Sequence, residues 1–255
     1  MKVTILGSGT SSGVPRIGND WGACDPAEPK NRRSRVSLLV EHGGTAVVVD
    51  TGPDFREQML RVDLQRLDAV FYTHDHADHT HGIDDLRQFY QLFGAPVDCY
   101  ATAATWAILE PRFAYVFRRT ENYPATAMAH TLPSMLAIGD LRISHFVQHH
   151  GDVDSTGFRF EAGGSAVAYS TDIKALPPAS EASLDTLDLW IVDALRERPH
   201  PTHSHLAQTL GWIERFRPKR AVLTHMDTSM DYAALCAALP AKVEPGYDGL
   251  MIDFT

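Results

Sequence analysis

The sequence is poor in cysteine, in net basic charge and in long apolar runs, and each shortage removes a class of protein. Its three cysteines, Cys24, Cys99 and Cys236, are odd in number and widely spaced. They give neither a disulfide framework nor a CxxC zinc signature. Reduced thiols are expected, which suits a cytoplasmic location. Against 32 Asp and Glu there are 23 Lys and Arg, a net charge of −9. A general nucleic-acid binder would usually show a basic footprint, so none is expected as partner. A small phosphate ester held through metal ions stays open, because bound cations reverse the local sign. No stretch approaches the roughly 20 apolar residues of a membrane span. The first residues, Met1 to Gly7, lack the apolar run of a signal peptide. With no linker, repeat or low-complexity segment in view, residues 1–255 are expected to form one domain.

What is present is an ordinary globular balance, 44% hydrophobic and 22% charged, with strands and helices mixed in both halves. Val3–Leu6, Val36–Val40, Ala46–Val49, Ala69–Thr73 and Val97–Tyr100 read as strands. So do Leu141–Gln148, Gly157–Glu161, Ala166–Ser170, Leu187–Val192 and Arg220–Thr224. Helices are expected over Pro53–Arg61, Ile83–Phe93, Leu206–Phe216 and Tyr232–Leu239. This mixture predicts an α/β sandwich. Ser8–Arg35 is a long loop rich in Gly, Pro and charge, and loops of that length are often functional. Glu110–Pro133 is the least regular stretch, either a substrate flap or an insertion whose aromatics pack onto the body.

The chain has 13 histidines, and their positions are informative. Thr73-His74-Asp75-His76-Ala77-Asp78-His79 concentrates three imidazoles and two carboxylates directly after an apolar strand. Imidazole and carboxylate suit zinc, manganese, iron or nickel. In an extended segment His74 and His76 point to one side, while Asp78 and His79 sit where a second ion could bind. Each ion needs about three or four protein ligands, so further donors are required. Candidates stand after other apolar strands: His149 or His150, Asp172, and His225. Asp172 alone could cap a helix, and His225 alone could be a loop histidine.

The HxHxDH motif, with Val49-Asp50-Thr51-Gly52 upstream, resembles the metallo-β-lactamase superfamily. That resemblance covers nearly the whole chain and implies a four-layer αβ/βα sandwich with the metals at one edge of two sheets. A closer likeness is to the phosphodiesterases of phosphonate degradation that open phosphoribosyl 1,2-cyclic phosphate. It rests on Leu6–Pro15, Thr73–His79, Gly82–Arg87, Leu223-Thr224-His225-Met226 and Gly246-Tyr247-Asp248-Gly249. The likeness implies two divalent ions, zinc or manganese, and hydrolysis by a hydroxide they share. His74, His76 and His150 would hold one ion, Asp78, His79 and His225 the other, and Asp172 would bridge them. The spacing from His150 to Gly157-Phe158 is similar to the family's spacing from ligand to Gly-aromatic pair, which implies His150 rather than His149. Asp50 would orient the ligand loop. His203 matches an active-site histidine that is not a ligand, with His205 as the competing choice. Asp78, Asp172 and His203 are thus the expected catalytic groups, His203 as proton donor, since imidazole titrates near neutrality.

Two departures stand out. The cysteine-rich structural zinc site of some relatives is not expected, because the first loop holds only Cys24. Met226-Asp227-Thr228-Ser229 lacks a second histidine that some relatives carry. The run Lys30, Arg32, Arg33 and Arg35 reads as a solvated loop, with phosphate capture as the alternative. Arg87 reads in the same two ways, as a phosphate contact or as the partner of Asp84 or Asp85.

The expected function is hydrolysis of a small, cyclic phosphate ester, with a homodimer as the oligomeric expectation. Other hydrolyses on the fold compete. A lactamase would be expected to carry an export signal, a glyoxalase-type thioesterase a C-terminal helical region, and a tRNA-processing nuclease a long RNA-binding arm. A non-catalytic accessory protein of cofactor biosynthesis is a further alternative, disfavoured by the complete ligand set.

Overall fold

A computed structural model describes residues 1–254. Among the described residues, fourteen strands form two seven-stranded sheets. The first contains β1 (Lys2–Gly7), β2 (Ser37–His42), β3 (Thr45–Val49), β4 (Ala69–Phe71), β5 (Val97–Ala101), β6 (Ala127–Thr131) and β14 (Met251–Asp253), in the order β14-β1-β2-β3-β4-β5-β6. The second contains β7 (Met135–Ile138), β8 (Leu141–His150), β9 (Val153–Ala162), β10 (Ser165–Ser170), β11 (Leu189–Asp193), β12 (Arg220–Thr224) and β13 (Val243–Pro245), in the order β13-β12-β11-β10-β9-β8-β7.

The side-chain alternation of the strands explains the layers. Leu189 and Ile191 of β11 face the inter-sheet core with Val47, Val49, Phe71, Phe158 and Phe160. Trp190 and Val192 of the same strand face outward into a second cluster with Leu223 and Leu235. Residues of β3 divide the same way, Val48 packing outward with Phe55, Leu86, Phe89 and Trp106. A strand buried on both faces needs a helical cover on its outer side. Sheet one receives α1 (Phe55–Val62), α3 (Leu86–Phe93) and α4 (Ala103–Arg112); sheet two receives α6 (Leu206–Phe216) and α7 (Tyr232–Ala238). The four-layer αβ/βα sandwich is therefore observed. Two short helices complete the set, α2 (Ala77–Thr80) and α5 (Ala114–Phe117).

Some elements differ from expectation. Ile83–Phe93 is divided into a 3₁₀ turn, Ile83–Asp85, and α3. The segment expected to be irregular holds the end of α4, then α5, then edge strand β6. Phe113, Val116 and Phe117 pack against the Trp106 cluster, which is why this stretch is ordered, while Tyr115 and Tyr123 stay exposed.

The first loop is held by buried polar groups. Arg33 is 2% exposed, and its guanidinium donates to the carbonyls of Met230 (2.6 Å) and Asp227 (3.4 Å) and to Asn31 Oδ1 (3.3 Å), beside Cys24 Sγ. Asp248 accepts from the backbone and hydroxyl of both Ser8 and Ser34. These contacts account for the Gly246–Gly249 motif: its carboxylate ties the end of β1 to the start of β2.

Candidate metal centre

The site lies along one edge of the sandwich, at the C-terminal ends of β3, β4, β8, β10, β11 and β12. Strand β3 runs parallel to β4, and β10, β11 and β12 run parallel to one another. Register then fixes which residues meet. Ser170 pairs with Val192, and Asp193 pairs with Thr224. The residues that follow, Asp172, Asp193 and His225, therefore emerge side by side. Asp50 (φ 64°), Asp172 (φ 50°) and His225 (φ 59°) all adopt left-handed backbone conformations. That region is uncommon for residues other than Gly, Asn and Asp, and such strain concentrates at functional sites.

Two donor sets converge. His74, His76, His150 and Asp172 bring one ligand atom each within 4.8 Å of one another, as do Asp78, His79 and His225. Asp172 joins the sets: Oδ2 lies 3.8 Å from His74 Nε2 and 3.4 Å from His150 Nε2, while Oδ1 lies 3.1 Å from His79 Nε2 and 3.4 Å from His225 Nε2. All are buried except His76, which is exposed, and Asp78, which is partly so. His149 is instead at the surface, bonded to Asp154, and Asp75 turns away to Arg112.

The hydrogen bonds behind these rings assign their tautomers. Thr73 Oγ1 donates to Asp50 Oδ2 (2.8 Å) and so accepts from His74 Nδ1 (3.0 Å). His79 Nδ1 donates to Asp50 Oδ2 at 2.7 Å, and His150 Nδ1 donates to the Thr202 carbonyl at 2.8 Å. In each ring Nε2 is left with its lone pair directed inward. Buried Nε2 atoms of His74, His79 and His225 have no hydrogen-bond partner among the described residues. Buried polar atoms are normally satisfied, and cations held by the two donor sets would satisfy all three, His74 in one set and His79 and His225 in the other. The donor set is that of a divalent-metal centre with nitrogen and oxygen ligands.

Charge distribution agrees. Burial opposes charge on His79 and His225, but Asp172 and Asp78 outweigh it; His79 is held well above the usual histidine value and His225 is raised to about 9. Burial acts upward on Asp172 and Asp78, yet His225 and His79 hold both well below the usual carboxylate range. His74 is pushed well below its usual value by burial and by His79. Asp50 is raised by burial, against the pull of His79 and the Thr73 donors.

His203, and not His205, stands in the cluster. Its Nε2 is 3.8 Å from Asp172 Oδ2, and its ring stacks on His225 with centroids 4.6 Å apart. Its Nδ1 donates to Asp193 Oδ2 at 2.9 Å. His205 lies at the N-terminus of α6. Asp193 was not singled out from the sequence, although it follows an apolar strand as Asp172 does. It is fully buried, and its other oxygen lies 4.0 Å from His225 Nδ1.

The family described as a beta-lactamase superfamily domain matches residues 45–226. The chain belongs to the metallo-β-lactamase superfamily. Within that family of hydrolases it is close to PhnP. The solved structure of a new diphosphatase from the PhnP family is 36% identical, covers 100% of this chain and 98% of its own, and superposes with a TM-score of 0.90. Zinc-bound PqqB from Methylobacterium extorquens shares the fold at 18% identity and a TM-score of 0.78, each chain covered in full. Among curated relatives, an octanoyltransferase of Porphyromonas gingivalis is 31% identical over 98% of this chain and 51% of its own length. A ribonuclease Z of a Bradyrhizobium is 28% identical over 52% of this chain and 46% of its own. The chain thus spans about half the length of the curated relatives it matches. None of the described helices of this superfamily member is long and apolar enough to cross a membrane.

Proposed function

We propose that the protein is a dinuclear-metal phosphodiesterase acting on a small cyclic phosphate ester, phosphoribosyl 1,2-cyclic phosphate being the reference substrate. The observation that carries this reading is the sharing of Asp172 between two complete donor sets, with His203 Nε2 at their edge. His74, His76 and His150 would hold one ion, Asp78, His79 and His225 the other, with Asp172 between them. Zinc or manganese suits these donors. When bound, such ions supply Lewis acidity and lower the pKa of coordinated water.

The protein's own groups do the remaining work. Asp50 and Thr73 fix the rings of His74 and His79, and the Thr202 carbonyl fixes that of His150. Such supports keep Nε2 as the ligating atom. Asp193 holds the proton of His203 on Nδ1. A second proton on Nε2 is then positioned for delivery to a leaving alkoxide, the general-acid part of phosphodiester hydrolysis.

The test combines metal analysis with a substrate panel, for the wild type and His76→Ala. The panel holds ribose 1,2-cyclic phosphates, 2′,3′-cyclic nucleotides, bis-p-nitrophenyl phosphate and a precursor tRNA, with thioester and lactam controls. Two metal ions per chain and a preference for cyclic phosphates, both reduced in the variant, are expected. A preference for the tRNA would instead support the nuclease reading, which the ribonuclease Z likeness favours. Absence of metal, or activity equal in the variant, would sink the catalytic assignment.

A further inference from the structure

The four cations of the first loop have separate fates. Lys30 Nζ bonds to Tyr232 Oη at 3.0 Å and lies over the rings of Tyr232 and Tyr247. Arg32 stacks on Trp21, and Arg33 is spent on buried carbonyls. Arg35 is half-buried and keeps the ends of its fork available. Its Nε lies 3.2 Å from Asp54 Oδ2, but Nη1 and Nη2 bond to no protein group among the described residues.

Arg35 also stands at the metal edge. Strands β1 and β3 each run antiparallel to β2, so the end of β1 emerges on the same edge as Asp50. A Cβ placed on Gly52 would lie 2.2 Å from the Asp78 carbonyl oxygen and 3.7 Å from Arg35 Cβ. The Arg35 side chain therefore starts within about 6 Å of the backbone of a candidate ligand. From there it passes the turn Thr10–Gly13, with Nη1 3.8 Å from the position of a Gly13 Cβ. That turn is closed by Gly13 N–H donating to the Thr10 carbonyl, and Thr10 N–H donates to the carbonyl of Met226, next to His225. Ser11 and Ser12 are exposed, and their amides donate to no protein group among the described residues. Other cations near the ligand loops are committed: Arg112 to Asp75, Lys174 to the His200 carbonyl, and Arg196 to the carbonyls of Arg198 and Pro199.

We infer that Arg35 and the Thr10–Gly13 turn form a subsite for a second phosphoryl group of the substrate, one that is not itself hydrolysed. This inference rests on the phosphodiesterase reading, whose reference substrate already bears two phosphoryl groups, and assigns named residues to the one that is not cleaved. An arginine fork matches phosphate oxygens in two directions, and backbone amides in a turn supply further donors. Charge on the second group decides affinity at this subsite, while the scissile group stays with the metal ligands.

The test measures kcat/KM for ribosyl 1,2-cyclic phosphate with and without its 5-phosphate, in wild type, Arg35→Gln, Arg35→Lys and the control Arg32→Gln. The readout is the ratio of the two values. In Arg35→Gln the ratio should fall about 10- to 100-fold, the size expected for one charge-assisted pair, mainly through KM. Arg35→Lys keeps charge without the fork and should retain part of it; Arg32→Gln should keep the wild-type ratio. Equal ratios in wild type and Arg35→Gln would overturn the subsite. Should the wild type turn over neither ester, the phosphodiesterase reading fails on its own. Titration calorimetry with ribose 1,5-bisphosphate and ribose 1-phosphate then decides the subsite. An affinity gain of about tenfold from the extra phosphate, lost in Arg35→Gln, supports it; no gain overturns it.

Discussion

At the scale of single residues, the site is a set of rings held by their back nitrogens. Asp193 accepts from His203 Nδ1 and from the backbone of Ile173 on the same oxygen. In Asp193→Asn an amide oxygen can serve that role only if its NH₂ faces His225, and if reversed its NH₂ meets two donors. Either arrangement disturbs a ring that must present Nε2. We expect kcat to fall about 100-fold or more, as tautomer errors do in catalytic dyads. Metal content measured alongside kcat shows which ring gave way. The acid–base balance gives a second expectation. His79 and His225 are raised by Asp172 and Asp78 despite burial. Their pairing stabilises the metal-stripped fold fully below the unfolded histidine value, and that contribution is lost as pH rises through about 9 for His225. Divalent ions compete with the same protons. Metal affinity should therefore increase with pH, about tenfold per unit for each proton displaced, and metal addition near neutrality should release protons into a weak buffer. An affinity flat between pH 6 and 8.5 would contradict this.

At the scale of elements, legibility followed burial. Strands whose residues alternate between two apolar clusters, such as β3 and β11, were readable because all but one position in each is apolar. Strands β6, β7, β13 and β14 were not read. Edge strand β7 alternates exposed with half-buried residues, β13 and β14 are three residues each, and β13 contains Pro245. Some candidate ligands were legible for the same reason, since His74, Asp172 and His225 come soon after apolar runs. Asp193 was overlooked because its significance comes from the pairing of Asp193 with Thr224, a long-range register. Choosing His150 needed the likeness to a family, since His149 stands in an equivalent local sequence. Gly52 shows how a short motif acts through packing. A Cβ there would sit 2.2 Å from the Asp78 carbonyl oxygen, which is backbone and cannot yield without moving the ligand loop. Gly52→Ala should cost about 1–3 kcal/mol in stability and weaken metal binding, both read by denaturant unfolding with and without metal. Arg33→Met removes the guanidinium from at least two carbonyls. About 2–4 kcal/mol of destabilisation is expected from the buried groups left unsatisfied.

At the scale of the whole molecule, the candidate ligands come from both sheets. His74, His76, Asp78 and His79 follow β4 of the first sheet; His150 ends β8, and Asp172 and His225 follow β10 and β12, of the second. An ion bound to both sets crosslinks the sandwich at the edge where its loops gather carboxylates and histidines. A ligand that binds only the folded state stabilises it by about 2.7 kcal/mol at a free concentration 100 times its Kd. In a chain of this length that corresponds to a shift in Tm of roughly 5–10 °C. Chelation should therefore lower Tm, and hydrogen exchange should quicken in the loops after β4, β10 and β12 together, because the crosslink joins them. His76 is exposed and belongs to only one donor set, so His76→Ala should lose a fraction of the metal-dependent shift and leave the metal-free Tm near that of the wild type. Faster exchange confined to one sheet would contradict this crosslink, because each donor set draws on both sheets: His74 and His76 join His150, and Asp78 and His79 join His225.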